Sequence, residues 1–141
     1  MSIIKKKVIL PLLLLSIFLI SQTAISCYAA TTGTWNSFTQ SFGATNTVYT
    51  QSFVMNNGVG IAAYPTGNCY KGTVKVTNTD VKVTVQQYDS VKGWTDYEST
   101  TVKNGSVAIF NNNHSGTFRC KIVYDSSVTT TSSTVLVQYF T

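Results

Sequence analysis

Two stretches of strict apolar–polar alternation commit this chain to β-structure. Across 81–88, Val81, Val83 and Val85 fall on one side of an extended chain, and Lys82, Thr84 and Gln86 on the other. Across 117–124, Phe118, Cys120, Ile122 and Tyr124 share one side, and Arg119, Lys121 and Val123 the other. A period of two is that of a strand with one face in a core and the other in water, whereas a helix repeats every 3.6 residues. Beyond residue 30 helical periodicity is almost absent.

Turn chemistry places further strands around these two. The alternating run 73–77 is followed by Asn78-Thr79-Asp80, which predicts a hairpin between 73–77 and 81–88. Segments 95–102 and 106–110 flank Lys103-Asn104-Gly105. Asn and Gly both tolerate positive φ, so a second hairpin is expected there. Segments 48–55 and 59–64 flank Asn56-Asn57-Gly58 and predict a third. Segment 35–42 reads as the N-terminal strand and 135–140 as the C-terminal one, with 111–116 and 127–134 as loops. About eight short strands at these spacings predict an all-β fold. The expected form is a two-sheet antiparallel sandwich, immunoglobulin-like or jelly-roll-like. No repeat, linker or second domain interrupts it.

The first 29 or 30 residues follow a different rule. Lys5, Lys6 and Lys7 precede an apolar run over 8–20, and 21–30 turns small and polar. That order is the order of a secretory signal peptide, so 1–29 is expected to be removed and 30–141 to form one secreted domain. A cut after Ala29 leaves the small Cys27 at the third position back, whereas a cut after Ala30 puts Tyr28 there. The apolar run is shorter than the roughly 20 residues a membrane helix needs, and Pro11 interrupts it. A permanent anchor is one alternative. The other is lipidation of Cys27 in Ala24-Ile25-Ser26-Cys27, which would tether the protein to a membrane.

Removing the leader changes the apparent chemistry. The whole chain carries +5, but three lysines lie in the leader, and the remainder sets seven cations against five acids, or +2. These cations are interleaved with acids, so no nucleic-acid partner is expected. Residues 31–70 and 126–141 carry no charge at all. Uncharged polar strands pair readily, either within one sheet or between copies in self-association. Of three cysteines, Cys69 and Cys120 remain. In an exported chain the default is one Cys69–Cys120 disulfide, worth roughly 4 kcal/mol by loop-closure entropy. A pair of buried thiols is the alternative.

The segment His114-Ser115-Gly116-Thr117-Phe118-Arg119-Cys120 resembles the strand-F signature of immunoglobulin-like domains, Asp-x-Gly-x-Tyr-x-Cys. The resemblance implies a sandwich in which inward-facing Cys120 bridges the sheets, with Cys69 as the strand-B partner. His114 stands where that family has an acid, Phe118 where it has Tyr, and Trp94 lies 25 positions after Cys69 rather than about a dozen. The resemblance speaks to fold and implies no activity.

Catalytic constellations are thin. His114 is the one histidine, and no serine sits in an elbow motif. Nucleophilic triads need a base beside a Ser or Cys and an orienting acid. Zinc needs three or four His, Cys or carboxylate ligands. Asp96 and Glu98, two apart on a strand, are expected to share an exposed face about 7 Å apart. That is within the spacing of glycosidase carboxylate pairs, about 5–10 Å, but without their cleft. Asp89, Asp96 and Glu98 lack a calcium-loop pattern. No enzyme activity, metal or cofactor is therefore expected.

Binding is the remaining class. Trp94 closes the loop 89–94, flanked by Tyr88 and Tyr97, and this aromatic group can stack on sugar rings or anchor a protein partner. The competing role for Trp94 is to cap the sandwich end. The expected protein is a secreted, non-catalytic binding module for an extracellular glycan or protein partner. The alternative is a self-assembling or membrane-active secreted β protein, fibre-forming, toxin-like or antimicrobial.

Overall fold

The computed structural model describes residues 33–111 and 114–141. The expected signal peptide and Cys27 lie outside the described residues. The strands are β1 (Trp35–Phe42), β2 (Thr47–Tyr49), β3 (Phe53–Gly58), β4 (Ile61–Lys71), β5 (Val74–Val76), β6 (Asp80–Asp89), β7 (Gly93–Lys103), β8 (Ala108–Phe110), β9 (His114–Tyr124) and β10 (Thr129–Phe140). Sheet A runs β1-β10-β4, with β5 and β8 sharing the outer edge of β4. Sheet B runs β9-β6-β7, with β2 and β3 sharing the outer edge of β9. All pairings are antiparallel.

The pairings nest. β1 pairs β10, β2 and β3 pair β9, β4 pairs β8, and β6 pairs β7. One long antiparallel ribbon rolled on itself gives this order, which is a jelly-roll order. The immunoglobulin-like alternative places its strands differently. Among the described residues ten strands stand in place of about eight, and the expected segment 48–55 divides into β2 and β3, which share one side of β9.

The alternating residues fill the interior. Val81, Val83 and Val85 of β6 and Phe118, Cys120, Ile122 and Tyr124 of β9 are buried, facing Ile61, Ala63, Val135 and Val137 of sheet A. Each large apolar side chain contributes about 1.5–3 kcal/mol by burial. Phe38 and Phe53 add an aromatic layer with Tyr139, whose ring stacks on Phe53 at 4.6 Å.

The three expected hairpins do not form. Segment 74–76 returns along β4, not β6, through a turn with Gly72 at φ 63°. This leaves Val74 exposed, while Val76 packs on the core. The Asn104-Gly105 turn carries the chain out of sheet B into sheet A, so β7 and β8 do not pair. Asn57 and Gly58 likewise sit at a crossing, since β3 belongs to sheet B and β4 to sheet A. The local turns occur, but the strands after them join the other sheet. Segment 129–134, expected as loop, extends β10 because its residues pair along β4.

The expected disulfide is also absent, and Cys69 and Cys120 are free buried thiols. The ring of Tyr124 packs against Gly67. Cys69 lies beyond Gly67 toward the 125–128 turn, opposite Thr130. Cys120 lies four residues back along β9 from Tyr124, about 13 Å at about 3.3 Å per residue. A disulfide needs Cα atoms within about 7 Å. The immunoglobulin-like signature therefore predicts the inward direction of Cys120 but not its bond. Among the described residues no helix is long and apolar enough to cross a membrane.

Candidate functional site

The outer face of sheet B carries an aromatic and cationic cluster. Register builds it: Tyr88 stands opposite Trp94, Gln86 opposite both Asp96 and Arg119, and Tyr49 opposite Lys121. These residues point away from the core because their neighbours Val85, Cys120 and Ile122 point into it.

Arg119 is the centre of the cluster. Its guanidinium lies over both the Tyr49 ring and the Trp94 ring, 4.4 Å from each centroid. Its Nε–H donates to Gln86 Oε1 at 2.8 Å, and Gln86 Nε2 donates to Asp96 Oδ1 at 2.7 Å. Gln86 is buried, so this relay is held in place. Lys121 Nζ lies 6.0 Å from the Tyr49 ring centroid, and Tyr88 meets Trp94 edge-on at 5.3 Å. Tyr49 and Tyr88 remain 42% and 51% exposed, a wide area for two tyrosines on a sheet face. Each cation–π contact is worth about 0.5–1 kcal/mol at such a surface.

Trp94 and Tyr88 thus come together, but Tyr97 does not join them. A bulge in β7 opposite Val85 and Gln86 turns Tyr97 to the other side, where its ring meets the core residue Phe118 at 5.9 Å. Trp94 is not an end cap; it lies half-buried on the sheet face beside Arg119. The same bulge separates the two carboxylates. Asp96 stands opposite Gln86 and Glu98 opposite Val85, so they occupy opposite faces and cannot flank one substrate bond. Asp89 is committed to its turn: Oδ1 accepts from Val91 N and Lys92 N, both at 2.8 Å, which holds its carboxyl below the ordinary range. Among the described residues no three His, Cys, Asp or Glu side chains gather as a metal site. His114 begins β9.

Tyr49, Gln86, Arg119 and Lys121 are the members that sequence reasoning missed. The outward direction of Gln86, Arg119 and Lys121 is readable from alternation, but Tyr49 joins them only through the β2–β9 register. A second feature is a cleft of about 480 Å³ at the sandwich end, lined by Lys71, Lys75, Thr77, Asp80, Asp125 and Ser127. Asp125 accepts from Ser127 N at 2.7 Å, and its carboxyl is held low by Ser127 first and then by Lys71 and Lys103. The acids there are already engaged, with Lys103 Nζ 2.7 Å from Asp80.

No protein-family model and no curated protein matches the chain. Similar solved structures include the Yersinia pseudotuberculosis-derived mitogen, with a TM-score of 0.45 and 14% identity over 75% of this chain and 86% of that one. A Bacillus endospore appendage protein, described as forming disulfide-linked pili, gives 0.43 and 15% over 77% and 88%. PliG of Aeromonas hydrophila, a periplasmic inhibitor of g-type lysozyme, gives 0.46 and 12% over 76% and 87%.

Proposed function

We propose that this chain is a secreted, non-catalytic binding module that acts outside the cell on a glycan or protein partner through the outer face of sheet B. The observation that supports this reading is Arg119 packed over both Tyr49 and Trp94, with Tyr88 extending the aromatic surface. Exposed Tyr rings beside a half-buried Trp give large contact area at low entropic cost, and Arg joins them as a typical anchor of binding surfaces. Asp96 and Glu98, the carboxylate pair weighed for hydrolysis, stand on opposite faces of β7.

A pull-down from cell-envelope material and culture supernatant tests the reading. Wild type should retain a partner that Trp94→Ala and Tyr49→Ala lose, while both variants keep the wild-type circular dichroism spectrum. Equal retention by all three removes sheet B as the binding face.

The edge of sheet A favours a second reading, self-association. β1 is eight residues long and pairs only with β10 among the described strands. It contains no charge and no proline, the devices that usually protect an edge. Light scattering across a concentration series tests this. Self-association should weaken in Ser37→Lys/Ser41→Lys, and a wild type that stays monomeric throughout sets the reading aside.

A further inference from the structure

Arg119 is anchored by three contacts. Its guanidinium lies 4.4 Å from the centroids of two rings, and its Nε–H donates to Gln86. Its two Nη groups have no hydrogen-bond partner among the described residues. Asp96, the nearest acid in the relay, is separated from Arg119 by the Gln86 amide. A guanidinium fixed in this way presents a fork whose geometry matches two oxygens of a carboxylate or phosphate. Its ordering cost is already met in the free protein, so binding loses less side-chain entropy.

The neighbouring cations extend the same preference. Lys121 follows Arg119 on the outer face of β9, and Lys82 sits on β6 diagonal to Lys121 across the Thr84–Lys121 pair. Successive spacings of about 7 Å result. Among the described residues none of these three cations forms an ion pair, in contrast to Lys103 with Asp80. Tyr88 and Tyr49, both exposed, lie beside this row together with half-buried Trp94 and add aromatic surface to it.

We propose that the outer face of sheet B binds an anionic polysaccharide: Arg119 takes a carboxylate or phosphate oxygen pair, Lys121 and Lys82 take neighbouring anionic groups, and sugar rings lie on Trp94, Tyr88 and Tyr49. This rests on the reading of that face as a binding surface and adds the ligand class. The charge that selects the ligand is local to one face, which is why the small overall charge of the chain does not disclose it.

Affinity electrophoresis of the purified protein in gels containing polygalacturonate, a phosphomannan or neutral pullulan tests the proposal. Retardation by one or both anionic polymers and not by pullulan is expected, and the responding polymer tells carboxylate from phosphate. Retardation should weaken as salt is raised, because surface charges are screened beyond about 8 Å at physiological ionic strength. Arg119→Gln should weaken binding by about tenfold to a hundredfold. Arg119→Lys, which keeps the charge but not the fork, should also weaken it. Lys75→Gln, in the distant end cleft, should bind as wild type and serves as the control. Equal retardation by pullulan, lost in Trp94→Ala but not in Arg119→Gln, would overturn the anionic assignment and leave the binding face standing. Anionic retardation unchanged in Arg119→Gln, or no retardation by any of the three polymers, also overturns it. In the last case the pull-down still judges the face itself.

Discussion

The side chain of Asn104 pairs with the backbone of Gly67 as though it were a strand. Its Oδ1 accepts from Gly67 N, and its Nδ2 donates to Gly67 O, both at 2.7 Å. Beside it, Gly105 N donates to Pro65 O at 2.9 Å. These bonds fill a gap. Along this edge of β4, β8 covers 61–63 and β5 covers 69–71, and no other described strand lies opposite 65–67. Backbone polar groups left unpaired in such a place cost free energy.

Asn104→Ala is therefore expected to destabilise the fold by about 2–4 kcal/mol. It removes two hydrogen bonds and strands both polar groups of a half-buried Gly67. Urea unfolding followed by far-ultraviolet circular dichroism would measure the loss. A midpoint within error of wild type would mean that water replaces the amide without cost.

The same corner separates what was legible in the sequence from what was not. The strand 35–42 and the inward faces of β6 and β9 were readable because alternation is a local property. Asn104-Gly105 was readable as a turn, and Gly105 does take φ 82°. Its partner was not readable, since a turn residue encodes φ and not the sheet that receives the next strand. Pro65 and Gly67 hid the second half of β4, because both normally argue against a strand. Here the edge beside them carries no strand. Pro65 needs no N–H there, and Gly67 is served by a side chain. For the site, outward Arg119 was visible but its two rings were not, since they arrive from β2 and β7 through long-range register.

Gly67 has a second role against Tyr124. A Cβ at position 67 would lie 2.6 Å from Tyr124 Cε1 and 2.8 Å from Cζ, and the ring is buried. Gly67→Ala should cost about 1–3 kcal/mol through overpacking. In a Tyr124→Leu background the added methyl has room, so the same change should cost less. A double-mutant cycle with no coupling between the two positions would refute this account.

The separation of Cys69 from Cys120 makes a direct prediction about redox behaviour. Both thiols are buried, and burial pushes the Cys120 thiol up to about 12. The thiolate is the reactive form, so Cys120 should resist alkylation in the folded protein at pH 8 and react on unfolding. In a protein that begins at residue 30, both thiols should titrate in denaturant, and the melting temperature should be the same with and without dithiothreitol. A melting temperature that falls on reduction would reveal a bridge.

Alkaline pH should expose the cost of these buried groups. Cys120 moves from an ordinary 9.0 to about 12, and buried Tyr124 from 10.0 to about 12, each chiefly by desolvation. The unfolded chain releases these protons near pH 9 and 10, while the folded chain holds them to about 12. Above pH 9 the folded state thus binds more protons, and rising pH favours unfolding. The stability is complete below pH 9 and is lost progressively toward 12. Each group contributes a slope of up to about 1.4 kcal/mol per pH unit. Urea midpoints should be flat from pH 7 to 8.5 and then fall. Cys120→Ala, whatever its effect at neutral pH, should shed one group's share of that slope between pH 9 and 10. An unchanged slope in this variant would show that Cys120 ionises in the folded protein as it does in the unfolded chain.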